Sequence, residues 1–238
     1  MSEKGALAYW FDIAPEVRNL WLDWYLSDHM PSRVGTVFSA GRCYEAIDAS
    51  RSHMVLFETP EAEDLLASSY VALLKQVSDS DRQRRAWYSQ TVRATCRVLS
   101  VQGSGTGGVL GVVRIRGAKA RQSDIQACLT QHILPLLGAF SSIGSVSVLC
   151  NDPDIRQRMD QVRVTGHQDG HTDWVVLMEA GQERDVRHAW KAMDQSSAWQ
   201  NLQLGDAVIH DLYRLLYVMV QSSPTPQLCS IKSIRKNA

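Results

Sequence analysis

The sequence predicts an α+β protein built from two consecutive copies of one β-α-β-β-α-β unit. The main observation is an echo between two runs, LSDHMPSRVGTVFSAG at 26–41 and LTQHILPLLGAFSSIG at 129–144. They align without a gap, and His29 of the first run falls on His132 of the second. A leucine, a serine and two glycines also coincide.

Two further pairs of segments keep the same order along the chain. SHMVLFE (52–58) aligns with TDWVVLME (172–179), so that both segments end on a glutamate. SSYVAL (68–73) resembles SSAWQNL (196–202). Three matching blocks in one order are better explained by internal repetition than by chance.

The first copy reads as alternating strand and helix patterns. Apolar residues at helical spacing predict its first helix, which Pro31 should end because the residue before a proline avoids the α conformation. Small residues at Ala40–Gly41 predict a bend in the second strand, and acidic residues favour the start of the next helix. The predicted elements are strand 8–15, helix 16–30, strands 34–47 and 52–60, a helix beginning at 61–64, and strand 91–102.

The second copy repeats this order after GSGTGG (103–108), which reads as a flexible linker or open turn. Ser123 or Asp124 is a suitable N-cap for its first helix. The predicted elements are strand 108–117, helix 123–140, strands 142–151 and 172–181, helix 186–195, and a last strand within 206–221. The order is that of the split βαβ, or ferredoxin-like, fold. We therefore predict two ferredoxin-like repeats, at 1–102 and 108–238.

Composition narrows the functional class. Of 238 residues, 45% are hydrophobic and 21% charged, and 25 basic side chains balance 25 acidic ones. A net charge of zero gives no support to nucleic-acid binding. Neither a membrane span nor a secretion signal is expected, because the chain has no long apolar run and no signal-like start. Five scattered cysteines without a C-x-x-C pair suggest reduced thiols in a cytoplasmic protein.

One stretch of the first copy resembles a known family. The segment WYLSDHMPSRV…FSAGRCYEA, followed by HMVLFE and SSYVALL, is similar to the EthD-like branch of the dimeric α+β barrel superfamily, whose members carry a W-Y…H-x-P-like run before a bend and an R-Y-E strand. The resemblance covers most of 8–102 and is thinner over 108–221, where the tyrosine before the histidine is lost and Pro135 is displaced by one place. It implies that the two sheets close face to face, as a dimeric α+β barrel within one chain.

His29 is the leading catalytic candidate. It lies in the last turn of the first predicted helix, and an imidazole titrates near neutral pH, which suits proton transfer. A capping role at the helix C-terminus is an equally weighted alternative. Tyr25 could donate a hydrogen bond to a substrate carbonyl and Trp24 could line the pocket, although both also suit an ordinary core.

The strand after the bend carries a second group of candidates. Strand alternation places Arg42 and Tyr44 on one face. If that face is the barrel interior, Arg42 needs an anion, which could be a substrate carboxylate or enolate. Glu58 on the neighbouring strand could bind substrate or could simply neutralise Arg42.

In the second copy, Arg114 and Arg116 form a similar stripe with Glu179 as a possible partner, and Arg114 is a candidate for substrate binding. His132 is a candidate for substrate binding, although a structural role is favoured for it. His167 and His171 have H-x-x-x-H spacing but lie in a glycine-containing loop without a third ligand, so no metal site is predicted.

The resemblance implies a cofactor-free lyase, dehydratase or isomerase that transfers protons on an aromatic, polyketide-like or lactone substrate. His29 would act as acid or base, Tyr25 or Tyr44 as hydrogen-bond donor and Arg42 as the cation, all facing a barrel cavity. No cofactor is expected, whereas association into a homo-oligomer is expected. A non-catalytic ligand-binding or stress-associated protein is the alternative, and a heme-binding relative is a weaker one.

Overall fold

Eight antiparallel strands close into a barrel in the computed structural model, which describes residues 3–76, 79–117, 121–162 and 168–221. The order around the barrel is β1-β3-β2-β8-β5-β7-β6-β4. The strands are β1 Gly5–Ile13, β2 Ala40–Asp48, β3 His53–Thr59, β4 Tyr88–Gly103, β5 Val109–Ile115, β6 Ile143–Asn151, β7 Trp174–Ala180 and β8 Val208–Val220.

Helices cover the outside of the barrel. The first helix of each half passes into a π-helical turn, and these turns hold the two aligned histidines. The internal repeat seen in the sequence is therefore present in the backbone. The helices are α1 Arg18–Trp24 with its π turn Tyr25–His29, α2 Ser68–Lys75, α3 Asp79–Arg85, α4 Gln122–Cys128 with its π turn Leu129–Ile133, α5 Leu134–Gly138, α6 Pro153–Val162, α7 Glu183–Gln195 and α8 Ser197–Gln200.

The barrel consists of two four-stranded ferredoxin-like sheets, β4-β1-β3-β2 and β8-β5-β7-β6. Two long strands join them. β4 pairs with β1 up to Arg97 and with β6 from Cys96 onward, and β8 passes in the same way from β5 to β2. The predicted fold, two tandem ferredoxin-like repeats closing a dimeric α+β barrel within one chain, is confirmed.

Several local predictions were wrong. The strand expected at 34–47 begins only at Ala40, after a series of turns. The charged stretch after α2 forms α3, and the β6–β7 connection contains α6, which the sequence had not suggested. α6 crosses to the first half, where Ile155 and Met159 join its core. The GSGTGG segment is a turn fixed by a backbone hydrogen bond and not a flexible linker, because the Gly105 N–H donates to the Gly144 carbonyl at 3.0 Å.

The centre of the barrel is a packed core. Inward-facing side chains of all eight strands alternate with outward-facing ones that pack under the helices, as expected for a small barrel. The middle of the barrel is therefore filled with packed side chains and does not contain the apolar cavity that the sequence suggested. Interior residues include Ala8, Trp10, Tyr44, Met54, Leu56, Leu110, Val112, Leu149, Val175 and Tyr213.

Charged side chains lie towards both ends of this interior. At one end Arg114 pairs with Asp211 at 2.8 Å and lies over the ring of Trp10. The predicted pairing of Arg114 with Glu179 was wrong, because Glu179 is at the opposite end with Arg42. Arg116, the other half of the predicted stripe, is exposed. Among the described residues, no helix is both long and apolar enough to cross a membrane.

His53 is buried on the outer face of the first sheet, with 2% of its surface exposed. Its ring packs against Phe11 and Trp21 at centroid distances of 6.0 and 4.7 Å. Ser52 Oγ lies 2.9 Å from its Nδ1. Burial disfavours the charged imidazolium and lowers the pKa of His53 to about 4.

We expect the free energy of unfolding to decrease as the pH falls from about 6.5 to about 4. The folded-state pKa of His53 is the lower one, so the unfolded chain binds a proton first in this window and is stabilised. Urea unfolding at both pH values should show that the free energy of unfolding falls between pH 7 and pH 4.5 by about 2 kcal/mol more in the natural chain than in His53→Gln. Equal losses in the two proteins would contradict this assignment.

Candidate functional site

A cavity of about 100 Å³ lies between the outer face of the first sheet and the helices α1, α2 and α3. Aromatic rings form most of its wall, and three arginines and one histidine supply its polar groups. It is lined by Leu7, Tyr9, Trp24, Tyr25, His29, Arg33, Val55, Phe57, Tyr70, Leu74, Arg85, Tyr88 and Arg93. We call this cavity the inner pocket.

Strand alternation and the π turn together bring these residues to one place. The odd-numbered residues of β1 and β3 face outward, so Tyr9 and Phe57 point towards the helices. In the π turn the Met30 N–H donates to the Tyr25 carbonyl at 2.8 Å, which inserts one residue into the helical turn. Such turns are frequent at functional sites. Here the turn places His29 against the rings of Trp24 and Tyr25, at centroid distances of 4.7 and 4.9 Å.

A second, more polar cavity of about 200 Å³ adjoins the inner pocket. We call it the outer recess. Its own lining includes Asp28, Ser32, Gln76 and Asp81. Four side chains line both cavities and so form a neck between them: Trp24, His29, Arg33 and Arg85.

The neck brings an imidazole and two guanidinium groups to the edge of an aromatic pocket. Arg33 Nη1 donates to the His29 carbonyl at 3.1 Å, which ties the arginine to the π turn. Trp24 Nε1 donates to Asp28 at 2.9 Å. A ligand with an apolar ring system and one acidic or carbonyl oxygen matches this division, since the rings can enter the inner pocket and the oxygen can meet the cations.

Deeper groups are held neutral. Burial raises the pKa of Tyr25 well above its usual range, so its phenol remains a hydrogen-bond donor at neutral pH. Burial likewise raises the pKa of Tyr88, whose hydroxyl accepts a hydrogen bond from Trp21 Nε1 at 2.7 Å. The inner pocket therefore carries no phenolate charge that would repel an anionic ligand.

The second half of the chain completes the floor of this first-half pocket. Arg93 on β4 forms ion pairs with Asp160 of α6 and with Asp169, the latter at 3.1 Å. Tyr9 Oη donates to Asp169 at 3.4 Å. Gly170 pairs with β4, where its N–H donates to the Thr91 carbonyl at 2.8 Å.

The predicted site residues divide between two locations. His29, Tyr25 and Trp24 meet at the neck and inner pocket, but Arg42, Tyr44 and Glu58 point into the barrel on the other side of the sheet. The expectation that His29, Tyr25 and Arg42 face one cavity was therefore wrong, because alternation puts Arg42 on the inner face.

The second-half candidates also lie elsewhere. Arg114 is at the far end of the barrel with Asp211. His132 is exposed, and tryptophans such as Trp190 fill the outer face of its sheet. His167 lies outside the described residues. Within the described stretches, no three histidine, cysteine, aspartate or glutamate side chains form a metal-binding group.

Sequence reasoning missed several residues of the pocket. Alternation along β1 and β4 could have placed Tyr9 and Arg93 on the outer face. Arg33 and Arg85 gave no such signal, since they lie in a turn and at a helix end. Asp169 follows an unpredicted helix of the other half, so only the folded chain shows its role.

Comparison with known proteins supports the fold. No protein-family model and no curated protein matches the chain. Among solved structures, an anthrone oxidase-like protein is similar over 94% of this chain and 95% of that chain, with 10% identity and a TM-score of 0.62. A candidate monooxygenase from Fusobacterium nucleatum subsp. nucleatum is similar over 94% and 97%, with 6% identity and a TM-score of 0.59. Another, from Lactobacillus acidophilus, is similar over 92% and 97%, with 9% identity and a TM-score of 0.52. At these identities the likeness establishes the ferredoxin-like barrel alone.

We expect Asp169→Asn to destabilise the protein by about 2–3 kcal/mol, because it removes one partner of a buried ion pair while Arg93 keeps Asp160. The Asp169 side chain is only 1% exposed. Asp160→Asn is the matched control, and since its side chain is 46% exposed it should cost less than about 1 kcal/mol. Urea unfolding of both variants tests this. Equal costs would mean that Asp169 does not hold the pocket floor.

Proposed function

We propose that this chain is a small-molecule enzyme that binds an aromatic carbonyl compound in the inner pocket and transfers a proton through His29. The observation that carries the proposal is the neck. There an imidazole lies between an aromatic pocket and a polar recess, beside two arginines. The EthD-like resemblance of residues 8–102 and the name of the anthrone oxidase-like neighbour support an aromatic substrate.

The proposed step is removal of a proton from the carbon next to the carbonyl. Neutral His29 accepts this proton, the electron pair of the C–H bond forms a C=C bond, and the π pair of the carbonyl moves onto its oxygen, giving an enolate. Arg33 and Arg85 stabilise the charge on that oxygen, the role that the sequence had suggested for Arg42. Return of the proton from His29 to another carbon completes an isomerisation. In an elimination the enolate re-forms the carbonyl, a group on the adjacent carbon leaves with its bonding electron pair, and that group takes the proton from His29.

The surrounding residues suit this assignment. Trp24 and Tyr25 both pack against the His29 ring and restrict its rotation. The neutral phenol of Tyr25 can donate to the substrate. The cysteine pattern supports a cytoplasmic setting. A group as large as heme would require α1, α2 and α3 to move apart, so no step is assigned to it.

The alternative is a binding protein that sequesters the same class of ligand without turnover. The tight aromatic wall of the inner pocket is compatible with this role. The two functions differ in what His29 contributes, because a sequestering protein needs the ring only for contact.

We expect His29→Gln to slow proton exchange at the acidic carbon of an aromatic ketone by 10²-fold or more while leaving its affinity within a few-fold. Acetophenone in D₂O is a suitable probe because it has a single ring, with deuterium uptake at its methyl group followed by NMR and binding by calorimetry. Arg85→Gln should slow exchange at saturating ketone as well as weaken binding, because Arg85 stabilises the charge that develops on the enolate oxygen.

His132→Gln is the matched control, since this exposed histidine occupies the equivalent π turn of the second half and should leave exchange unchanged. If the natural chain binds the ketone but exchanges it no faster than His29→Gln does, the binding-protein alternative is correct. If it neither binds nor exchanges aromatic ketones, the proposal fails.

A further inference from the structure

A separate cavity of about 280 Å³ opens at one mouth of the barrel, on the inner side of the sheets. Its floor is apolar, its rim carries hydroxyl groups, and charged side chains cross it. The lining comprises Lys4, Gly5, Ala6, Arg42, Leu56, Glu58, Val98, Val101, Gly103, Ser104, Gly105, Thr106, Ser145, Ser147, Leu149, Leu177 and Glu179. None of these residues lines the inner pocket or the outer recess.

One arginine forms ion pairs with two carboxylates in this mouth. Arg42 Nη1 lies 2.9 Å from Glu179 Oε1, and its Nη2 lies 3.1 Å from Glu58 Oε1. Glu179 is 5% exposed and also accepts hydrogen bonds from Tyr44 Oη at 3.3 Å and the Gly107 N–H at 3.1 Å. The Glu58 side chain is 38% exposed and has a second oxygen that can accept from a ligand.

Strand register shows that the two carboxylates are counterparts in the internal repeat. Glu58 pairs with Ala6 on β1, and Glu179 pairs with Leu110 on β5, the corresponding first strands of the two halves. The mouth therefore has an approximate twofold arrangement of carboxylates.

The same register shows that the arginine of the first half has no cationic counterpart in the second half. Arg42 on β2 pairs with Leu56 of β3, and Ser147 on β6 pairs with Leu177 of β7. Each of them pairs on its other side with a valine of a long strand, β8 or β4. By strand register Ser147 is thus the counterpart of Arg42, two residues beyond Ser145, the position that the ungapped sequence alignment gives. Its short side chain borders the cavity instead of filling it.

We propose that this mouth binds an organic cation, a guanidinium or primary ammonium group on a short alkyl chain, beside Ser147. The cation takes the place in the second half that the Arg42 guanidinium takes in the first, and it pairs with Glu58. The alkyl chain lies over the apolar floor formed by Leu56, Leu149 and Leu177. Hydroxyl oxygens of the rim accept the remaining N–H groups.

The lining favours an organic cation over a metal ion. No metal-binding group of three ligands is present among the described side chains. The rim lysine, Lys4, is exposed and lines the same cavity, so its positive charge opposes the binding of a second cation there. Lys4→Ala should therefore bind the cation at least as tightly as the natural chain does.

The test uses propylguanidinium, which has the shape of an arginine side chain, and propylurea as its neutral isostere, both titrated by calorimetry. We expect propylguanidinium to bind at least tenfold more tightly than propylurea, because only the cation can form charge-assisted hydrogen bonds to the carboxylate. Glu58→Gln should weaken cation binding at least tenfold. Ser147→Ala, which keeps both the cavity and the carboxylates, should change it only a few-fold.

Ser147→Arg tests the counterpart relation directly. The introduced guanidinium should occupy the cavity, abolish propylguanidinium binding and give a higher Tm than Ser147→Leu, which fills the same space without charge. Propylguanidinium binding no tighter than propylurea binding would overturn the proposal, as would equal binding by the natural chain and Glu58→Gln. If the Ser147 replacements do not fold, the Glu58 comparison still decides.

Discussion

Closure of the eight-stranded barrel is the constraint on which the rest of the structure depends. Side chains alternate along each strand, so closure gives every strand one face inside the barrel and one face outside. Each strand has two neighbours, and the long strands β4 and β8 join the halves because each pairs within its own half and with the other. Charged side chains on the inner faces must then pair with each other, as Arg114 does with Asp211.

Because the barrel interior is packed, the cavities that could bind ligands lie away from the barrel centre. The first lies outside the sheet, where helices cannot cover the outer face completely and aromatic rings line the remaining space. The second lies at a mouth, where the inner layer of side chains ends. The two cavities are on opposite faces of the same strands, so they can take chemically different ligands without interfering.

The two halves share one scaffold but differ in the side chains that pack on their outer faces. At the place of Trp24 and Tyr25, the first helix of the second half has Ala127 and Cys128. Tryptophans from β7, α7 and α8 pack into the core beneath that helix. In return, the second half contributes α6 and Asp169 to the floor of the first-half pocket. The pocket thus belongs to the closed chain rather than to one repeat.

The sequence by itself determined the repeat, the order of its strands and the position of His29 beside two aromatic residues. These follow from local patterns: apolar periodicity, the helix-ending Pro31 and strand alternation. Only the tertiary structure decided which face of each sheet is inside, and so whether Arg42 meets His29 or is separated from it by the sheet. It also decided that Asp169 reaches Arg93, because contacts between residues 76 positions apart depend on how the whole chain closes. Alternation divides the residues of a strand into two faces, but barrel closure assigns those faces to core, pocket or mouth.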